Sequence, residues 1–223
     1  MDKFTWADSP RHDAFPIAGP GYSVIFAAAF TTAVFALLNF TILALICLGC
    51  TFFICFFFRD PDRVIPNKAS AVVSPADGKV ILVDNMSINP FDDGLSVKIS
   101  IFMSVFNVHV NRIPYDGIVK KIHYHPGKFF SANLDKASKE NEHNAVLIET
   151  KEGKKIWAVQ IAGLIARRII CKVQEDESVV RGSRFGMICF GSRLDVYLPT
   201  DTKIDVSVGD KVQSGASILG YLK

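Results

Sequence analysis

Residues 14–58 contain no Asp, Glu, Lys, Arg or His. No other feature constrains the fold as strongly, because a run of this length must find an apolar environment. A helix needs about 20 apolar residues to cross the hydrocarbon core of a bilayer. The tract therefore suffices for two short crossings, over residues 22–38 and 40–58, with a bend at Leu38-Asn39. A single tilted crossing or a re-entrant hairpin fits the same residues. A cleaved signal peptide fits poorly: its apolar region is shorter and ends in small residues, whereas this tract ends in a phenylalanine cluster followed by Arg59-Asp60-Pro61-Asp62-Arg63. The expectation is a retained membrane anchor, one or two helices over residues 21–58, between an N-terminal segment 1–20 and a second domain 59–223.

Charge is concentrated outside the tract. Lys3 and Arg11 precede it, and Arg59, Arg63 and Lys68 follow it. A hairpin would place both groups on one side, and the positive-inside rule makes that the cytoplasmic side of the cell membrane. The formal net charge of +3 is too small for a nucleic-acid surface. Cys47, Cys50 and Cys55 lie inside the apolar tract, while Cys171 and Cys189 stand alone. That pattern contains neither a disulfide framework nor a zinc site, and it suits a reducing compartment.

Beyond Pro66 the pattern changes to alternation. Val97, Ile99, Ile101 and Met103 recur at every second position, which predicts a strand with one buried face. Residues 145–149 and 156–161 flank Lys151-Glu152-Gly153-Lys154 and predict a hairpin. Asp116-Gly117 and Gly209-Asp210 mark further turns, and residues 134–139 read as a short helix. Closely spaced turns between short strands predict a mainly β domain, a compact β-sandwich or barrel-sandwich. The turns Ala76-Asp77-Gly78-Lys79-Val80 and Val208-Gly209-Asp210-Lys211-Val212 resemble those of lipoyl-like domains.

Several residues are chemically suggestive, and each has an ordinary explanation. Gly191-Ser192 reads locally as a turn or bulge, and Gly182-Ser183-Arg184 repeats the letters of Gly191-Ser192-Arg193. His109 lies in an apolar stretch, where a polar side chain needs a partner. His123 and His125 share a strand face, yet no neighbouring Cys or carboxylate completes a metal set. Arg167 and Arg168 are either anion ligands or part of a solvated face.

Five motifs in order give these residues a common context: Phe58-Arg59-Asp60-Pro61, Ser74-Pro75-Ala76-Asp77-Gly78, Asn107-Val108-His109, Asn141-Glu142 and Phe190-Gly191-Ser192-Arg193. Together they resemble the short-form phosphatidylserine decarboxylases, over nearly all of the chain beyond Phe57. The resemblance implies self-cleavage between Gly191 and Ser192, giving a beta chain 1–191 and an alpha chain 192–223 that remain together. It also implies conversion of Ser192 to a pyruvoyl group, which would form a Schiff base with phosphatidylserine and release carbon dioxide and phosphatidylethanolamine. His109 and Asp77 match the family's His and Asp, so the implied catalytic set is Asp77, His109 and Ser192, without a metal. His143 stands where the family commonly has Arg, and with Arg168 it is a candidate for substrate binding. The sequence departs from the long-form pattern at Phe106 and Ser104, where a second His and an Asp would stand. The proton donor to the substrate is therefore not assigned, and a higher oligomer is left open. Two other readings remain: a membrane-anchored, noncatalytic lipoyl-like scaffold, and a pyruvoyl decarboxylase of another amino-acid-derived substrate.

Overall fold

The computed structural model describes residues 16–92, 94–131, 140–164, 168–189 and 191–223. The short helix expected at 134–139 lies outside the described residues, as does Phe190. The chain divides into two compact units that meet between Asp62 and Arg63.

The first unit is a helical hairpin. Helix α1 (Gly21–Leu37) starts directly after Pro20, whose fixed φ suits a helix start. It ends at Leu38, and Asn39 then takes a φ of +57°, a left-handed conformation that Asn tolerates. Helix α2 (Thr41–Phe57) returns alongside it, and Thr32 Oγ1 meets Thr51 Oγ1 at 3.2 Å. The open end is tied by backbone bonds from Ala18 N–H to Phe58 O and from Asp60 N–H to Pro16 O, both 2.8 Å. Gly21 is required here, since a Cβ would lie 2.6 Å from the Phe58 side chain. Each helix has 17 residues, about 25 Å of rise. Neither is long and apolar enough to cross a membrane.

The second unit is mainly β, with every strand pair antiparallel. Its strands are β1 (Ala71–Val73), β2 (Gly78–Ile88), β3 (Leu95–Met103), β4 (Val110–Arg112), β5 (Gly117–His125), β6 (His143–Glu149), β7 (Lys155–Ala162), β8 (Ile169–Cys171), β9 (Ser178–Val179), β10 (Arg184–Ile188), β11 (Ser192–Leu198), β12 (Lys203–Ile204), β13 (Lys211–Val212) and β14 (Ile218–Tyr221). Eight form one sheet in the order β13-β2-β3-β11-β7-β6-β5-β9, and two three-stranded sheets run β1-β14-β12 and β4-β10-β8. The predicted hairpin is β6–β7, turning through Gly153 at a φ of +77°.

One face of the large sheet forms the core with both small sheets. Ile99 and Ile101 of β3, Leu194 and Val196 of β11, Phe185 of β10 and Leu219 of β14 belong to one buried cluster. The other face holds a second cluster of Ala145, Trp157, Val159, Ile161 and Tyr197, with Phe91 packed against it. The expectation of one buried face on β3 is therefore corrected, because Ser96, Lys98 and Ser100 are buried as well as their apolar neighbours. Lys98 and Ser100 are accommodated by an ion-pair and hydrogen-bond network: Lys98 reaches Asp195 at 3.2 Å, and Arg193 reaches Asp195 at 2.6 Å and Ser100 at 2.7 Å.

Close backbone approach fixes how the small sheets sit. A Cβ on Gly186 would lie 2.2 Å from Ile170 O and 2.8 Å from Gln160 Nε2. Gly186→Ala should therefore cost about 3 kcal/mol through overpacking. Gly153→Ala, which meets nothing within 4 Å but keeps a positive φ, should cost about 1 kcal/mol. Urea denaturation of the two variants checks the difference.

Candidate active site

Ser192 begins β11 with its neighbours fixed on both sides. It pairs with Met103 at the end of β3 and with Ala162 at the end of β7. Its side chain is fully buried, and Oγ donates to Met103 Sδ at 3.4 Å. Gly191 takes a φ of +59°, in the left-handed region that residues with a Cβ rarely adopt. The local twin is different. Gly182 also has a positive φ, +85°, but Ser183 is only half-buried and its Oγ donates to Val180 O at 2.6 Å. Backbone conformation alone does not distinguish the two pairs; burial and bonding do.

The Asp77 turn reaches the same end of the sheet. Lys79 pairs with Phe102, which pairs with Arg193, so the start of β2 lies in line with the start of β11. A Cβ on Gly78 would lie 2.2 Å from Phe102 O, so only glycine allows the turn this close. The Asp77 carboxylate is buried and doubly held: Oδ1 accepts the Ser214 N–H at 2.7 Å, and Oδ2 meets Arg63 at 2.8 Å. The sequence marked neither as a partner of Asp77: Arg63 counted only among the charges after the apolar tract, and Ser214 lies well over a hundred residues away in the chain.

His109 immediately precedes β4 and is fully buried. Its Nδ1 lies 2.9 Å from the Asn107 carbonyl oxygen. A carbonyl oxygen only accepts, so Nδ1 carries a proton and, in the neutral ring, Nε2 is the basic nitrogen. The turn before it is held by Asn107 Oδ1, which accepts from Ser104 N–H and Ser104 Oγ. Phe106 is exposed at the tip of that turn. Two residues past His109, the Asn111 side chain meets Met103 Sδ at 3.8 Å, the sulfur that also contacts Ser192. The structure thus gathers the Asp77 turn, the His109 segment and Ser192 around the end of β3.

Arg168 is exposed, and its carbonyl accepts the Cys189 N–H at 3.2 Å, two residues before Gly191. Burial raises the Cys189 thiol pKa, as it does that of Cys171, so neither is primed as a thiolate. His143 lies elsewhere. It contacts Phe91, with ring centroids 5.7 Å apart, and stacks on His125 at 4.8 Å. Phe91 belongs to the cluster on the sheet face opposite the core to which Leu194 contributes. Strand alternation turns His143 away from the face that carries Ser192. Among the described residues, no group of three His, Cys, Asp or Glu side chains is placed to hold a metal.

Sequence reading missed a buried row of amides. Asn144 Nδ2 donates to Gln160 Oε1 at 3.1 Å, and Gln160 Nε2 donates to Asn111 Oδ1 at 2.9 Å and to Ile170 O at 3.3 Å. The available signal was a polar residue at an inward position of each strand, such as Gln160 between Ala158 and Ala162.

The environment of His143 has a pH consequence. Burial lowers its pKa from the ordinary 6.5, with smaller effects from the Asn141 carbonyl, which raises it, and from His125 and His123, which lower it. The unfolded chain therefore takes up the proton first, so the contribution of neutral His143 to stability is present above pH 6.5 and fades as pH falls below it. Melting curves between pH 7.5 and 5 should show a steeper acid loss for the natural chain than for His143→Gln.

Comparison with known proteins fits this arrangement. The sequence model of the phosphatidylserine decarboxylase family matches residues 50–220. A protein of Syntrophus aciditrophicus named phosphatidylserine decarboxylase proenzyme is 54% identical over 212 residues, covering 94% of this chain and 99% of the relative. Proteins of the same name from Desulfotalea psychrophila and Geotalea uraniireducens are 50% and 49% identical, over 93% and 95% of this chain. The matched region contains every strand around Ser192, and on that footing the chain belongs to the phosphatidylserine decarboxylase family.

Proposed function

We propose that this chain is the proenzyme of a phosphatidylserine decarboxylase that cuts itself between Gly191 and Ser192. The observation that carries the reading is Ser192 itself. It is a fully buried serine held at a strand start behind a left-handed glycine, with the Asp77 turn and the His109 segment brought to the same place. A noncatalytic scaffold would have no use for that assembly.

The chemistry follows from groups present in the chain. Ser192 Oγ attacks the Gly191 carbonyl carbon while its proton passes to a base, and the amide becomes an ester. His109 is assigned as that base, because its Nδ1–H is committed to Asn107 O and its Nε2 is free of a proton. Loss of the Ser192 α-proton then expels the Gly191 carboxylate and leaves dehydroalanine. Tautomerisation and hydrolysis with one water release ammonia, and a ketone remains at residue 192. Gly191 assists because no Cβ resists the conformations the shift requires. We assign Asp77 to stabilising the protonated imidazole, anchored in place by Arg63 and Ser214.

The residue at 192 fits a pyruvoyl group, whose ketone supplies an electron sink for the carbanion left by departing carbon dioxide. In the cleaved enzyme the chain's own residues would hold the lipid, exclude water and return a proton. Arg168, exposed beside Cys189, is assigned to the anionic headgroup. His143, on the opposite face, is assigned a supporting role behind β7 and β11 rather than substrate contact. The apolar hairpin is assigned as a membrane anchor that enters the bilayer without a full-length crossing. Phe26, Phe30, Ile42, Leu45 and Phe52 are exposed along it, and Arg59 and Arg63 favour the cytoplasmic side.

A denaturing mass spectrum tests the cleavage. It should show a C-terminal fragment beginning at residue 192, its N-terminus blocked to Edman chemistry and reactive toward hydrazine. Ser192→Ala should remain full-length and inactive, while Ser183→Ala should be cut normally. An intact natural chain that still releases carbon dioxide from phosphatidylserine would refute the mechanism. For the anchor, Phe30→Lys with Leu45→Lys should weaken co-flotation with anionic vesicles by about tenfold or more, given the cost of a buried cation. Unchanged flotation would exclude the hairpin as the anchor.

A further inference from the structure

The mechanism above uses Ser192, His109 and Asp77 but leaves the amides beside them unused. Asn144, Gln160 and Asn111 are all buried, the last two with no exposed surface, and they form a single file. Their direction is fixed by one atom. Ile170 O can only accept, so the Gln160 atom facing it at 3.3 Å is Nε2. Nε2 must then face an acceptor on Asn111, which is Oδ1 at 2.9 Å, and Gln160 Oε1 must face a donor on Asn144, which is Nδ2 at 3.1 Å. With Oδ1 committed, Asn111 can present only Nδ2 to Met103 Sδ, at 3.8 Å. Reversing any amide would bring two like groups together at a buried position and leave both unsatisfied.

Two donors thus converge on one thioether: Asn111 Nδ2–H and Ser192 Oγ–H, the latter at 3.4 Å. We propose that Asn144, Gln160 and Asn111 are an array of positioning residues that holds Met103 against the Ser192 hydroxyl in the uncleaved chain. The proposal rests on the reading of Ser192 as the cleavage residue. Sulfur suits the task because it is a weak acceptor. It sets the direction of the O–H bond, leaves the oxygen lone pairs for attack, and releases the proton readily to a base. A carboxylate or amide oxygen in its place would bind the hydroxyl more strongly and oppose both steps. Gly186 keeps the space open, since a Cβ there would lie 2.8 Å from Gln160 Nε2.

The test follows self-cleavage of the full chain from its synthesis in a cell-free system with detergent, as a function of pH. Met103→Leu conserves volume and removes the acceptor. It should melt near the natural temperature yet cleave at least about tenfold more slowly, a conservative share of what misplacing a reacting group costs. Gln160→Glu turns a carboxylate toward two acceptors, Asn111 Oδ1 and Ile170 O, and should cleave slowly at pH 8. Acidification protonates it and restores one donor, so its cleavage rate relative to that of the natural chain should rise as pH falls. A purely structural role for the array would not make the rate depend on the Met103 sulfur. A folded Met103→Leu chain that cleaves at the natural rate overturns the array alone. Should Gln160→Glu fail to fold, the Met103→Leu rate decides. A natural chain left intact at residue 192 overturns the cleavage reading and this proposal together.

Discussion

Gln160 is the point at which the layers of the β domain are joined. It lies on β7, in the middle of the large sheet, yet its two amide N–H groups are spent on Asn111 of β4 and Ile170 of β8, in a different sheet. A buried amide left without partners would cost about 1–3 kcal/mol, so the small sheet must sit where those acceptors meet it. The consequence reaches the site from both directions. His109 directly precedes β4, and β10, between β4 and β8, leads toward Gly191. Moving that sheet would move His109 and the approach to Gly191 together.

The opposite face of the large sheet is fixed by charge rather than by apolar burial alone. Arg193, Asp195, Lys98 and Ser100 are buried and bonded to one another. Such a network contributes little net stability compared with an apolar core, but breaking it by removing one member is costly. Its effect here is positional. Ser192 opens a strand whose next residues are held on both faces.

Much of this was legible in the chain. The alternation at 97–103 and the Gly153 turn correspond to β3 and the β6–β7 hairpin. What alternation could not convey was burial on the polar side. Lys98 and Ser100 look like a wet face because polar and charged residues are seldom fully buried, and their partners on β11 make burial tolerable. Arg63 as a partner for Asp77, and the file of Asn144, Gln160 and Asn111, are contacts between distant segments. No local spacing encodes them.

The sequence by itself determined an uncharged N-terminal tract, a β domain after it, and an ordered set of motifs ending at Gly191-Ser192. These are properties of neighbouring residues and of pattern period, which the chain carries before it folds. The difference in environment between the two identical Gly-Ser-Arg triplets has a different origin. Both glycines take a positive φ, but Ser183 lies in a half-exposed turn and bonds its own backbone, whereas Ser192 is enclosed beside Met103. The face on which each histidine lies was likewise decided by strand register: His143 was turned away from Ser192, and His109 was brought to the end of β3. Register and burial depend on which distant strands pair, and hydrogen bonding between those strands fixed them only in the folded molecule.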